Sequence, residues 1–148
     1  MTPSLRLAAP LAACFIALLT HSYTALAADR DPTPMAQWIK MGKEAFSHET
    51  FAGNGRVCET CHLQGGMVPG QRPDGAPIPS LANAAAIYPR FNGRQGKVIT
   101  LQDQIRGCAG NALEGTPPAY GSDTLNALTV YLTSLAQGKP LDMGGKPQ

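Results

Sequence analysis

Beyond Leu19 the sequence has no apolar run approaching the ~20 residues needed to cross a bilayer, which excludes a spanning segment downstream of the N-terminal region. Excess charge is also small: 12 Lys and Arg stand against 10 Asp and Glu, for a net +2, and nothing in that balance suggests nucleic acid as a partner. Strand signals are few, no segment repeats, and no second candidate domain stands out. Only four cysteines are present. Two of them fall in one short motif, and a lone Cys108 downstream does not supply the second ligand pair of a structural zinc site.

The N-terminus reads as a secretory signal. Arg6 supplies the positive region, Leu7 to Leu19 the apolar region, and Ala25-Leu26-Ala27 a small-x-small cleavage site. The expected organisation is therefore a signal peptide over 1–27 and one domain over 28–148, with no integral membrane segment after cleavage and a periplasmic location. Removal of Arg6 leaves 11 cations against 10 acids. Leu11-Ala12-Ala13-Cys14 also has the form of a lipoprotein cleavage box, and an uncleaved signal could serve as an anchor. An h-region broken by Pro10 and the intact Ala-x-Ala site favour ordinary cleavage.

What the sequence has in quantity is Gly, 16 residues, and Pro, 13 residues, concentrated in the middle. Short helices separated by long loops follow. Trp38, Ile39, Met41, Ala45 and Phe46 recur at helical spacing and predict a helix over 35–48, which Gly42 interrupts at a close helix crossing. Residues 65–89 have no period and read as a loop with one short helix near 81–87; a loop of that length in a small domain needs something to pack on. Thr100-Leu101-Gln102-Asp103 has the form of a capping box, starting a helix to about Cys108. Ser122 should cap a final helix over 123–136, with Leu125, Leu128, Tyr131, Leu132 and Leu135 on its buried face and Gly138-Lys139-Pro140 ending it.

Cys58-Glu59-Thr60-Cys61-His62 is a CxxCH haem-attachment motif. Its two thiols lie about one helical turn apart, matching the two vinyl groups of a haem, and the following imidazole reaches the iron. Export fits, because haem is attached outside the cytoplasm. The expected cofactor is one covalent haem c with its iron, anchored by Cys58 and Cys61 and ligated by His62.

With a first helix carrying Gly42 and Phe46, the CxxCH and a last helix carrying Tyr131-Leu132, the sequence resembles the class I cytochrome c family. That resemblance implies an all-α fold of three to five short helices and long loops around a buried haem, with the first and last helices crossing at a Gly and an aromatic. In common members the second axial ligand is a Met just before a Pro-Ala-Tyr/Phe-Gly turn. Here the turn is Pro117-Pro118-Ala119-Tyr120-Gly121, so Pro117, which cannot bind iron, takes the Met position.

Cys108 is left unpaired in an oxidising compartment, so it is buried and inert, paired with another chain, or bound to metal. Met67, Met143, Asn111 and His48 are the other candidates for the sixth position. Tyr88-Pro89, Gly96-Lys97-Val98, Thr100-Leu101, Ile105-x-x-Cys108, Gly115-x-Pro117, Ser122 and Tyr131-Leu132 resemble the haem domains of periplasmic thiosulfate dehydrogenases. They are more distantly similar to the A-type cytochrome of the Sox sulfur-oxidation system. Cys61-His62-Leu63 followed by Gly66 agrees with that pattern. The resemblance implies that Cys108 is the distal ligand, giving His/Cys coordination. Gln104 stands where that family carries Arg, Ala109-Gly110-Asn111 replaces a bulkier polar run, and the dehydrogenases carry a second haem domain.

Arg90, Arg94, Lys97 and Arg106 fall in a stretch whose sole acid is Asp103. They read either as a solvated basic face or as contacts for haem propionates or a small anion, Arg90 and Arg94 above all. Three functions follow. The first is one-electron transfer to or from a redox partner protein, another cytochrome by expectation. The second is oxidation of an inorganic sulfur anion such as thiosulfate, with the anion drawn in by Arg90, Arg94 or Arg106. The third is gas sensing at an open or displaceable sixth site.

Overall fold

The structure, a computed structural model, describes residues 33–148. The expected signal peptide, its cleavage site and Cys14 lie outside the described residues.

Helix α1 spans Pro34–His48. It starts where Thr33 accepts a hydrogen bond from the Ala36 amide and where Pro34 occupies the first turn, a position at which a missing N–H costs nothing. Two short 3₁₀ turns, Cys58–Thr60 and Gln64–Gly66, follow. Strands β1 (Gly70–Gln71) and β2 (Pro77–Ile78) pair antiparallel, and α2 covers Ala84–Ile87. Strands β3 (Arg90–Asn92) and β4 (Lys97–Ile99) form a second hairpin in which Phe91 faces Val98. Helix α3 (Leu101–Gly107) opens with the expected reciprocal cap between Thr100 and Asp103 and runs into a π-turn over Cys108–Ala112. Helix α4, Asp123–Leu135, is capped by the Ser122 hydroxyl.

The core forms where α1 crosses α4, the most extensive contact between elements. A Cβ on Gly42 would lie 2.0 Å from the Ala127 carbonyl oxygen, so only glycine lets the two backbones approach this closely. Phe46, Leu125, Leu128, Tyr131 and Leu132 are buried around the crossing. Ala127 shares the buried face of α4, whereas Leu135 is half-buried.

The helices fall where their periodicity placed them, and the all-α expectation needs amendment. The 65–89 stretch holds a 3₁₀ turn and the β1–β2 ladder besides α2, and β3–β4 adds a second ladder. Both hairpins are two-stranded with strands of two or three residues. That is too short for period-two alternation to register in sequence, and each depends on the helical core for support. No helix among the described residues is long and apolar enough to cross a membrane.

Candidate haem site

The CxxCH segment closes into a single turn. The amides of Cys61 and His62 donate to the Cys58 carbonyl at 3.2 and 3.1 Å, which brings the two thiols to one side and projects His62 after them. Glu59, inside the motif, clamps that turn: it accepts from the Ser47 hydroxyl of α1 and, at 2.9 Å, from the Gly65 amide. These bonds hold its carboxyl below the usual range. Sequence reasoning missed this role, since nothing in a glutamate between two cysteines announces its partners. Gly70 passes so near the motif that a Cβ there would sit 1.8 Å from the Cys61 carbonyl oxygen. Tyr131 ties α4 to the same region by donating its hydroxyl to the Gly65 carbonyl at 2.7 Å.

These elements enclose a cavity of about 930 Å³, within the ~300–1,000 Å³ typical of cofactor sites. Cys58, Cys61 and His62 line one wall. Phe46, Leu128 and Leu132 form the apolar base, with Phe46 packed 6.4 Å from the His62 ring and 5.4 Å from that of Tyr131. The facing wall comes from α3 and its π-turn: Leu101, Gln104, Ile105, Cys108 and Asn111. Arg90 and Arg94 reach the cavity from the β3–β4 hairpin, and Arg56 and Arg72 from elsewhere on its rim. Arg72 pairs with Asp74, whereas Arg56, Arg90 and Arg94 have no carboxylate partner among the described residues.

The residues present fit a covalently held haem. Nδ1 of His62 is buried with no hydrogen-bond partner among the described residues, an orphaned polar atom of the kind that marks a functional site, on a ring that borders the cavity beside Cys58 and Cys61. Burial lowers the His62 pKa, keeping the ring in the neutral form that ligates. Burial pushes the Cys58 thiol up to about 12 and raises Cys108 as well. Among the described residues no group of three or more His, Cys, Asp or Glu could hold a bare ion.

The structure sorts the other sequence candidates. Met67 and Met143 are exposed and outside the cavity lining, and His48 is an exposed residue bonded to Glu44. Pro117 lies outside the lining too, packed beside Gly110. Asn111 reaches the cavity next to Cys108. Arg106 departs from expectation. It does not line the cavity, because its guanidinium donates to the Pro118 carbonyl and stacks 4.1 Å from the Tyr120 ring centroid, while Tyr120 donates to Asp103. Those bonds turn Arg106 to the outer side of α3, so it supplies neither an anion contact in the cavity nor a cation beside the sulfur.

Comparison with known proteins points the same way. Residues 41–141 match the family model described as SoxA/TsdA, cytochrome c domain. The thiosulfate dehydrogenase of Stutzerimonas stutzeri is 36% identical over 90 residues, covering 61% of this chain and 27% of that protein. The thiosulfate dehydrogenase of Thiomonas intermedia is 34% identical over 109 residues, covering 70% and 32%. Among solved structures, thiosulfate dehydrogenase (TsdBA) from Marichromatium purpuratum superposes with a TM-score of 0.59 at 27% identity, over 75% of this chain and 24% of that one. SoxXA from P. pantotrophus shares the fold, with a TM-score of 0.52 at 23% identity over 76% of this chain and 39% of that one. The chain thus spans about a third or less of the length of the two dehydrogenases matched by sequence. With a CxxCH wall, a facing cysteine and a family match over most of its length, the chain belongs to the SoxA/TsdA family of cytochrome c domains and carries covalently bound haem c with its iron.

Proposed function

We propose that this chain is a periplasmic electron-transfer cytochrome whose haem would be held by thioethers from Cys58 and Cys61, with His62 and Cys108 as the residues that would ligate its iron. One observation carries the reading: Cys108 lies on the wall of the cavity that holds Cys58, Cys61 and His62, while Pro117, Met67 and Met143 lie outside it. When bound, the haem supplies reversible one-electron chemistry. The chain's own residues set the conditions for it. Glu59 and Tyr131 fix the attachment turn, Phe46, Leu128 and Leu132 keep the cavity base dry, and Cys108 donates charge that favours the ferric state and a low potential. The partner that takes or gives the electron is another cytochrome.

A second reading is favoured by the named relatives and by the unpaired arginines at the cavity rim: oxidation of an inorganic sulfur anion such as thiosulfate at this same haem. In it, Arg90 and Arg94 attract the anion, Cys108 lies beside the reacting sulfur, and a second cytochrome removes the electrons one at a time.

Anaerobic mixing of the oxidised holoprotein with thiosulfate, with and without an acceptor cytochrome, separates the two. A carrier stays oxidised with thiosulfate alone and exchanges electrons with the acceptor when poised by a reductant. Reduction by thiosulfate that weakens in Arg90→Ala and Arg94→Ala establishes the second reading. A haem that takes up no electron reversibly contradicts both. Cys61→Ala checks attachment directly: mass spectrometry should find a single-thioether product or no covalent haem, and a two-thioether haem in that variant would sink the assignment.

A further inference from the structure

Gln104 and Cys108 are four residues apart at the end of α3, so their side chains share one face of the helix, and that face lines the cavity. The Gln104 side-chain Nε2 lies 3.8 Å from Cys108 Sγ, within the reach of a hydrogen bond to sulfur. It makes the one side-chain hydrogen bond to that sulfur among the described residues. The Cys108 amide in turn donates to the carbonyls of Gln104 and Ile105, which fixes the two residues relative to each other. The other polar side chains of the helix are held independently: Asp103, which also borders the cavity, closes the cap with Thr100 and accepts from Tyr120, and Arg106 on the outer side is bound to Pro118. At Cys108 itself the backbone widens into the π-turn, a distortion that is frequent at functional sites. A well-anchored helix therefore presents the sulfur and an uncharged N–H donor to the cavity together.

We propose that Gln104 is a positioning residue for the haem iron's sulfur ligand: its side-chain amide donates to Cys108 Sγ and raises the reduction potential of the centre. The proposal rests on Cys108 being the axial ligand. A thiolate holds iron at low potential by donating charge to the ferric state, and hydrogen bonds to sulfur are among the levers that proteins use on such centres. An N–H directed at the sulfur withdraws part of that charge and favours the ferrous state. Because glutamine is neutral, the effect acts through the contact with the sulfur and not through the wider field of a cation.

The test uses the holoprotein and four forms: wild type, Gln104→Met, Cys108→Ala and the double variant. Methionine has similar length and no donor. Spectroelectrochemical titration of Gln104→Met should give a lower midpoint potential than wild type. The expected change is about tenfold in the oxidised-to-reduced ratio at fixed poise, ~59 mV for one electron. Its electron paramagnetic resonance spectrum should remain that of a thiolate-ligated low-spin haem with shifted g values. In the Cys108→Ala background the same substitution should leave the potential unchanged. An unaltered potential in Gln104→Met overturns the proposal, and so does an equal shift with and without Cys108, because either result removes the sulfur from the effect. If Cys108→Ala alone leaves the spectra of wild type intact, the ligand assignment has failed and the role of Gln104 falls with it, an outcome distinct from the other two.

Discussion

The helical side of the cavity and the loop-built side opposite it are made by different means. On the helical side, α1 and α4 cross at Gly42 and bury Phe46, Leu128, Tyr131 and Leu132, so position is set by interdigitated apolar side chains. On the other side, residues 64–100 consist of a 3₁₀ turn, two small ladders and a four-residue helix, with exposed Phe91 and Val98 at 62% and 63%. That region is placed by a few buried anchors, Ile87 and Ile99 at 2% exposure among them, together with single hydrogen bonds such as the Leu81 amide to the Gly66 carbonyl at 2.7 Å and the Gly144 amide to the Ile87 carbonyl at 3.0 Å. The helical side thus carries stability, and the loop side carries access to the haem and the charge around it.

Substitutions can break this division or sharpen it. Gly42→Ala forces a methyl against the Ala127 backbone, which has no flexible end to yield, and should cost about 3 kcal/mol. Thermal unfolding of the haem-loaded protein measures this loss. If the midpoint potential moved instead, with stability kept, the division would be wrong. Leu128→Ala should cost slightly less, about 2–3 kcal/mol, because the 1% exposed side chain borders the cavity as well as the helix contact. Denaturant titration reads that loss, and a cost below about 1 kcal/mol would remove α4 from its supporting role.

Tyr131→Phe tests the joint between the two sides. It deletes the buried hydrogen bond to the Gly65 carbonyl and keeps the ring packed on Phe46, so the expected cost is about 1 kcal/mol, with faster amide exchange around 64–67. Unchanged exchange there would mean that the turn is fixed by Glu59 alone.

The smallest effect belongs to Asp103, in the first turn of α3 where it borders the cavity. The Tyr120 hydrogen bond, and then those from Thr100, hold its pKa at about 2 against an ordinary 3.8. A depressed carboxylate contributes stability above the unfolded value, and that contribution is lost as pH falls from 3.8 through about 2. The group is exposed, so salt screens much of the effect. Asp103→Asn should flatten the acid limb of stability against pH in that window, and an unaltered limb would place the acid sensitivity elsewhere.

The helical side was largely legible in the sequence because its signals are local: apolar spacing in α1 and α4, Thr100 with Asp103 at the start of α3, Ser122 at α4 and the glycine at the crossing. The CxxCH motif was legible for the same reason. The loop side was not, since strands of two or three residues leave no period, and the partners of Glu59 and Arg106 are set by tertiary contacts. Arg106 shows the difference: its place in sequence, close after Arg90 and Arg94, suggested a contact for a small anion, yet Tyr120 and Pro118 hold it on the outer face. Gln104 drew notice only as a departure from the family pattern, and the geometry of α3 gives it a partner.

The most direct test of the account is low-temperature electron paramagnetic resonance of the oxidised holoprotein alongside Cys108→Ala, with optical spectra of both. The account predicts a low-spin signal and a thiolate-to-iron charge-transfer band in wild type, both lost when the sulfur is removed. Identical spectra from the two proteins would contradict it, leaving His62 with a different sixth ligand.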